Sequence, residues 1–254
     1  MSDLGVTITD HVAEVEIQRP PNNFFDTELI NDLADTFESF EAGDDVRAIV
    51  LCAAGKHFCA GNDFSKREGG NAAADGSNPL YAAATRLFAS KTPIVGAIQG
   101  AAVGGGFGLA LVPDFRVVCP EARFTANFVK LGFHPGFGLT HTLPRIIGQQ
   151  QAALMFMTGR RITGEEAHAI GLAEVLTDQA SLRAEAHKLA AEIAENAPLA
   201  VASVRATLRT GLAEAVKAQT DHENAEQAWL RKTEDHKEGV RAVAERRPGT
   251  FVGR

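Results

Sequence analysis

His57-Phe58-Cys59-Ala60-Gly61-Asn62-Asp63-Phe64 and Gly100-Ala101-Ala102-Val103-Gly104-Gly105-Gly106-Phe107-Gly108-Leu109-Ala110 are the two stretches whose reading decides this fold. Each follows an apolar run with strand character. The first follows Ala48-Ile49-Val50-Leu51-Cys52, and the second follows Pro93-Ile94-Val95-Gly96-Ala97-Ile98. The second stretch runs on into an apolar helical segment. Glycines at a helix N-terminus leave backbone N–H groups bare, and the helix dipole adds positive potential there. Such a corner suits a developing oxyanion. The chain holds no G-x-G-x-x-G and no Walker loop, so a dinucleotide or P-loop reading of the glycines is set aside.

Outward from these turns, strands alternate with helices, which implies an α/β layer structure. Val6–Thr9 and Val12–Ile17 alternate apolar and polar residues and read as a hairpin turning at Asp10-His11. Asp26 to Ala42 carries Leu29, Ile30, Leu33, Phe37 and Phe40 at helical spacing, with Asp26 as its N-cap. Lys66 to Pro79 is rich in Gly, Ala and Asn, and reads as a surface connector or a substrate lid. From Thr163 onward the pattern is helical. Ala180–Asn196, Leu199–Ala218, Asp221–Thr233 and Asp235–Glu245 are the expected helices, the last with an Asp235/Glu238 capping box. The expected division is a core over 1–195 and a helical region over 196–254.

Composition narrows the function. With 254 residues and 45% hydrophobic content the chain can bury a sizeable core. No apolar run reaches the roughly 18 residues of a membrane span. Met1 to Asp10 has neither a basic n-region nor an apolar h-region, so the expected location is cytoplasmic, away from membranes. The net charge of -7 argues against nucleic acid as a partner. Cys52, Cys59 and Cys119 are too few and too scattered for a disulfide framework or a zinc site, and no metal is expected. They read as small buried hydrophobes, with a reactive thiol at Cys59 as the other reading.

Ordered motifs along nearly the whole chain resemble the crotonase, or enoyl-CoA hydratase/isomerase, family. They are Ile17-Gln18-Arg19-Pro20, Phe58–Asp63, Gly104–Gly106, Leu143–Gly148, Thr158–Ala167, Thr233–Val240 and Glu245–Pro248. The resemblance implies an α/β spiral of ββα units with a helical C-terminal region that assembles trimers or hexamers. It implies an acyl-CoA substrate, coenzyme A being part of that substrate and no cofactor being tightly bound. Carried over residue by residue, the oxyanion donors are the N–H groups of Asn62 and Gly105. Asn22, Phe24, Ala60, Asp63 and Phe64 would border the coenzyme A. Arg246 would reach its phosphates, or serve only as a solvated helix charge.

The same carry-over exposes a departure. The family's two hydratase glutamates fall on Gly108 and Phe128, and the isomerase acid falls on Gly136. Hydration needs paired acid and base groups. From Ala126 to Leu143 there is no Asp or Glu at all. His134 is the candidate substitute, because histidine titrates near neutral pH. A structural role in the loop is the competing reading. Asp114 reads as a buried, hydrogen-bonded carboxylate. An enzyme acting on an acyl-CoA thioester is therefore expected by kinship. A non-catalytic acyl-CoA binding protein, or a hydrolase or decarboxylase of the same fold, remains open.

Overall fold

The computed structural model describes residues 3–43, 45–62 and 78–254. Strands β1 (Leu4–Thr9) and β2 (Val12–Ile17) pair antiparallel. Asp10 and His11 at their turn take φ of 46° and 67°. Two consecutive left-handed residues give the hairpin turn whose twist matches the strands. Helix α1 (Thr27–Ser39) starts where the Asp26 carboxylate accepts the Leu29 N–H at 3.0 Å. Its Leu29, Ile30, Leu33 and Phe37 are buried, as their spacing requires.

β3 (Ala48–Ala53), β4 (Ile94–Ile98), β6 (Phe115–Val118) and β9 (Val175–Leu176) continue from β2 as parallel neighbours. A second, smaller sheet holds β5 (Ala101–Val103), β7 (Arg123–Thr125) and β8 (Arg161–Thr163). Successive units thus place one strand in each sheet and then turn into a helix. Strands β4 and β5 lead to α3 (Gly105–Ala110), and β6 and β7 lead to α4 (Leu139–Ile147). This is the expected crotonase-like spiral.

Every residue of β3 is buried because both faces of the large sheet are covered. Ile49, Leu51 and Ala53 face the main core with α1 and α2 (Pro79–Ala89). Ala48, Val50 and Cys52 face α7 (Leu182–Ala194) through Leu182, Ala186 and Ala190. Helices α5 (Gln149–Thr158) and α6 (Gly164–Ala169) follow α4 and flank β8. The division expected at residue 195 falls between α7 and α8 (Pro198–Leu208).

The C-terminal helices differ in register from the sequence reading. The stretch read as Leu199–Ala218 breaks at Gly211, which takes φ 73°. A left-handed glycine ends α8 and lets α9 (Leu212–Leu230) start in a new direction. Helix α9 then runs unbroken through the gap expected near Asp221. The last helix, α10 (Glu234–Ala244), is capped by Thr233, whose hydroxyl accepts the His236 N–H at 3.1 Å. Asp235 instead accepts the N–H groups of Val252 and Gly253, so the expected Asp235/Glu238 box does not form. A capping box does form at Thr163 and Glu166.

Candidate active site

The chain leaving β3 is stitched along β5. Phe58 N–H donates to Gln99 O (2.8 Å), Cys59 N–H to Ala101 O (2.9 Å) and Val103 N–H to Cys59 O (3.1 Å). On its other side the same turn is tied to residues 22–25. Ala60 N–H donates to Asn22 O (2.9 Å) and Phe25 N–H to Gly61 O (3.0 Å). Fully buried Asn23 locks this arrangement. Its amide donates to Ala54 O (2.8 Å) and His57 O (2.6 Å), and its Oδ1 accepts the Arg19 N–H (2.9 Å). His57 Nδ1 accepts the Ala101 N–H at 3.1 Å. Burial and the Lys56 charge lower the His57 pKa, which favours the neutral ring that this acceptor role requires.

These bonds bring the two glycine turns together. A Cβ on Gly61 would stand 2.8 Å from Val103 O and 3.8 Å from Gly105 N. Gly104, at φ 56° and ψ -121°, takes a conformation closed to other residues and turns the chain into α3. As the first residue of that helix, Gly105 has no intrahelical acceptor for its N–H. Among the described residues, neither the Gly105 N–H nor the Asn62 N–H has an acceptor. Both residues line a cavity of about 570 Å³.

The cavity is mostly apolar, walled by Phe24, Phe25, Leu80, Phe128, Phe133 and Phe137 among others. Its polar side chains are Asn62, Asn78, Tyr81, Asn127, Gln227 and Arg231. Among the described lining residues there is no Asp, Glu or His. At Gly108, Gly136 and Phe128, the three positions onto which the resemblance carried an acid, neighbours occupy the space. A side chain on Gly108 would meet Phe137 Cβ and Cδ1, both at 2.7 Å. A side chain on Gly136 would collide with the Tyr81 hydroxyl and approach Gln227 Nε2 to 2.6 Å. Phe128 presents a ring packed edge-on to Phe133, with centroids 5.4 Å apart.

The loop that carries Gly136 and Phe137 is held in an unusual shape. Phe137 has φ 64°, a left-handed conformation uncommon for a bulky residue. Such a residue costs about 1–3 kcal/mol and persists only when its surroundings hold it. The Phe137 N–H faces the Tyr81 phenol oxygen. The buried Glu223 carboxylate accepts Gly138 N–H (2.7 Å), Thr140 N–H (3.0 Å) and Thr140 Oγ1–H (2.6 Å) at the start of α4. Burial raises the Glu223 pKa, and these bonds offset part of that rise. Gln227 Nε2 donates to His134 O (3.0 Å) and Pro135 O (3.1 Å).

The sequence candidates are distributed as follows. Asn62, Gly105, Phe24 and Ala60 line the cavity, and Asn22 supports it through its carbonyl. Asp63, Phe64 and residues 66–77 of the expected connector or lid lie outside the described residues. Asn78 and Pro79, the end of that stretch, cap and start α2. His134 stands apart from the lining. Its Nδ1 faces Pro135 O at 2.9 Å and its ring lies edge-on to His222 of α9, with centroids 5.9 Å apart. Arg246 is exposed beyond α10 and does not line the cavity. Burial pushes the Cys59 thiol up to about 12, so it stays a protonated core residue. Asp114 is the buried carboxylate expected, bound to Arg205 Nε (2.9 Å) and Arg209 Nη1 (2.7 Å). Among the described residues, no group of three or more His, Cys, Asp or Glu could hold a metal. None of the described helices is long and apolar enough to cross a membrane.

Three lining side chains carry no signal in the sequence reading. Tyr81 is the only tyrosine of the chain, in a mostly apolar helix. Its hydroxyl meets Gln227 Oε1 at 3.1 Å, and burial raises its pKa, so the phenol stays protonated at neutral pH. Gln227 and Arg231 lie on α9, a polar helix whose buried face does not show in its hydrophobic pattern.

The sequence and the fold match those of known proteins. The sequence matches the enoyl-CoA hydratase/isomerase family over residues 7–254. It is 33% identical over 257 residues to the carnitinyl-CoA dehydratase of Proteus mirabilis, covering 99% of this chain and 98% of that one. The structure superposes on an enoyl-CoA hydratase/isomerase from Pseudoalteromonas atlantica with a TM-score of 0.88 and 31% identity, over 99% and 100% of the two chains. An enoyl-CoA hydratase from Bacillus halodurans superposes with a TM-score of 0.84 at 25% identity, over 95% and 100% of the two chains.

Proposed function

The chain belongs to the enoyl-CoA hydratase/isomerase family, and from that footing we propose that it acts on an acyl-CoA thioester through main-chain donors, without the family's paired glutamates. The supporting observation is the pair of N–H groups at Asn62 and Gly105, both lacking an acceptor among the described residues and both belonging to residues that line one apolar cavity. Two half-buried donors without a protein acceptor on one apolar cavity wall suit a ligand oxygen. The thioester carbonyl fills that need and gains most as it becomes an enolate oxygen, one such donor being worth about 2.7–4 kcal/mol in the transition state.

The proton side of the reaction is unlike that of a glutamate hydratase. Gly108, Phe128 and Gly136 offer no carboxylate, and their space is taken by Phe137, an aromatic ring and Tyr81. Among the described lining residues, burial keeps the Tyr81 phenol protonated, and Arg231 offers only N–H donors. Neither group can draw a proton from water, so the described lining holds no general base. His134, outside the lining and edge-on to His222, serves this reading best as a support of the 134–138 loop. Leu199 of α8 is 85% exposed and Met157 of α5 is 80% exposed. These apolar surfaces fit assembly into a trimer or hexamer of a cytoplasmic enzyme.

A panel of acyl-CoA thioesters tests the reading. Purified protein should bind saturated acyl-CoA by calorimetry and turn over a member of the panel. Its hydration of crotonyl-CoA should fall at least about 100-fold below a family hydratase bearing both glutamates, since a general acid or base is worth roughly 10²–10⁴ in rate. No binding of any thioester would sink the reading. Ordinary crotonyl-CoA hydration would show that another group does the work of the two acids.

A further inference from the structure

Arg231 is the one cation among the described residues that line the cavity. It closes α9, half-buried, with its guanidinium carbon 5.7 Å from the centroid of the Phe133 ring. Its Nη2 donates to Gln227 Oε1 at 2.9 Å. No Asp or Glu among the described residues forms an ion pair with it. Gln227 is fully committed. Its Oε1 also meets the Tyr81 hydroxyl, and its Nε2 donates to the carbonyls of His134 and Pro135. The guanidinium is therefore held in place by one edge while most of its donors stay unused.

We propose that the acyl group this site accepts carries an anion, a carboxylate foremost, which pairs with Arg231. The inference rests on the acyl-CoA reading above and narrows it to a substrate class. A half-buried cation on an apolar cavity wall gains most when an anion pairs with it, and a neutral acyl chain would be better served there by an aliphatic side chain. A planar guanidinium matches a carboxylate through two parallel N–H bonds, and the apolar walls of Phe133, Leu131 and Val243 strengthen that attraction. The Tyr81 hydroxyl, beside Gln227, adds a protonated polar group at the same end of the cavity. A chain of contacts joins this end to the N–H pair. Phe137 lies 3.7 Å from the position of a Cβ on Gly105, and Gly136, next along the chain, abuts Tyr81 and Gln227. One molecule with a carbonyl oxygen at one end and a carboxylate at the other meets both features.

Calorimetry on the intact protein, with butyryl-, succinyl-, glutaryl- and adipyl-CoA and free CoA, tests this. The wild type should bind at least one of the three carboxylate-bearing thioesters about tenfold or more tightly than butyryl-CoA, the scale of a charge-assisted hydrogen-bond pair. Arg231→Met, which keeps length and apolar character, should bring that ratio to about one, and Arg231→Lys should keep part of it. A wild type that binds butyryl-CoA and shows no preference for any carboxylate overturns the inference and leaves the acyl-CoA reading standing. Equal weakening of free CoA and every thioester by Arg231→Met would make Arg231 a contact to the coenzyme's phosphates and also overturn it. A wild type that binds none of them removes the underlying reading as well.

Discussion

Arg205 and Arg209 reach from the end of α8 to Asp114, and Arg231 reaches from the end of α9 into the cavity, and the two arrangements treat charge in opposite ways. At Asp114 one carboxylate meets two guanidiniums and also accepts the Ile94 N–H at 2.8 Å. Arg205 further donates to Ser90 O, and Arg209 to Phe88 O at 3.3 Å. Nothing there is offered to a ligand, although Arg205 Nη2 and Arg209 Nε find no protein acceptor. At the cavity the guanidinium touches a neutral amide and an aromatic ring, and the Gly105 and Asn62 N–H groups that line the same cavity likewise lack an acceptor among the described residues. A cluster closed by opposite charge holds elements together, whereas one left open on a cavity wall keeps its donors for a ligand.

The sharpest way to break this contrast is to open the closed cluster. Asp114→Ala leaves buried Arg205 and half-buried Arg209 uncompensated, and removing one partner of such a group costs about 3–5 kcal/mol. Urea unfolding should show that loss while acyl-CoA affinity, per folded molecule, stays as in the wild type. The pH dependence has a definite sign. Burial pushes the Asp114 pKa up, but Arg205 and Arg209 outweigh it and hold the value below the ordinary 3.8. A depressed carboxylate contributes stability above its unfolded pKa and loses it as pH falls through the folded one. The destabilisation by Asp114→Ala should therefore be full near neutral pH and shrink only below about pH 4. A constant difference down to the lowest pH would show that charge is not what holds this cluster.

A second experiment closes the open region. Gly105→Pro deletes one donor at a helix position that proline tolerates. Any side chain here also presses on the Phe25 ring, so Gly105→Ala, which keeps the N–H, is the control. The proline variant should lose about 10²–10³ in turnover beyond the alanine variant, the usual cost of one oxyanion donor. Equal losses in the two variants would assign the whole effect to Phe25.

The smallest expected effect is at His134. His134→Gln keeps a hydrogen-bonding side chain but cannot titrate. Turnover of the panel's substrate should fall less than about tenfold, short of the roughly 10²–10⁴ owed to a general acid or base. A larger fall, with the pH profile flattened near neutrality, would return His134 to the chemistry.

Local signals were the legible ones. The Asp10-His11 turn, the Asp26 cap and the glycine corners each act within a few residues, where backbone sterics and single hydrogen bonds decide the outcome. The missed break at Gly211 was also local, but a lone glycine within a helical pattern reads equally as a tolerated interior residue. The cavity's polar end was not legible. Tyr81 and Gln227 are 146 residues apart, and α9 carries too few apolar residues to mark which face is buried. Asn23 was missed beside Asn22 and Phe24, because its role is to satisfy carbonyls at Ala54 and His57 that meet it only in the folded chain.

By itself the sequence determined the α/β layering and the two glycine turns, since these depend on local periodicity and backbone conformation, and its resemblance to the family implied the spiral and an acid-free set of residues at Gly108, Phe128 and Gly136. Only the tertiary structure decided what packs there. Phe137 lies against Gly108, Tyr81 and Gln227 crowd Gly136, and Arg231 stands at the cavity wall without a described carboxylate partner. The reason is that burial and pairing are properties of neighbours in space, and α2, the 134–138 loop and α9 become neighbours only when the C-terminal helices close over the core.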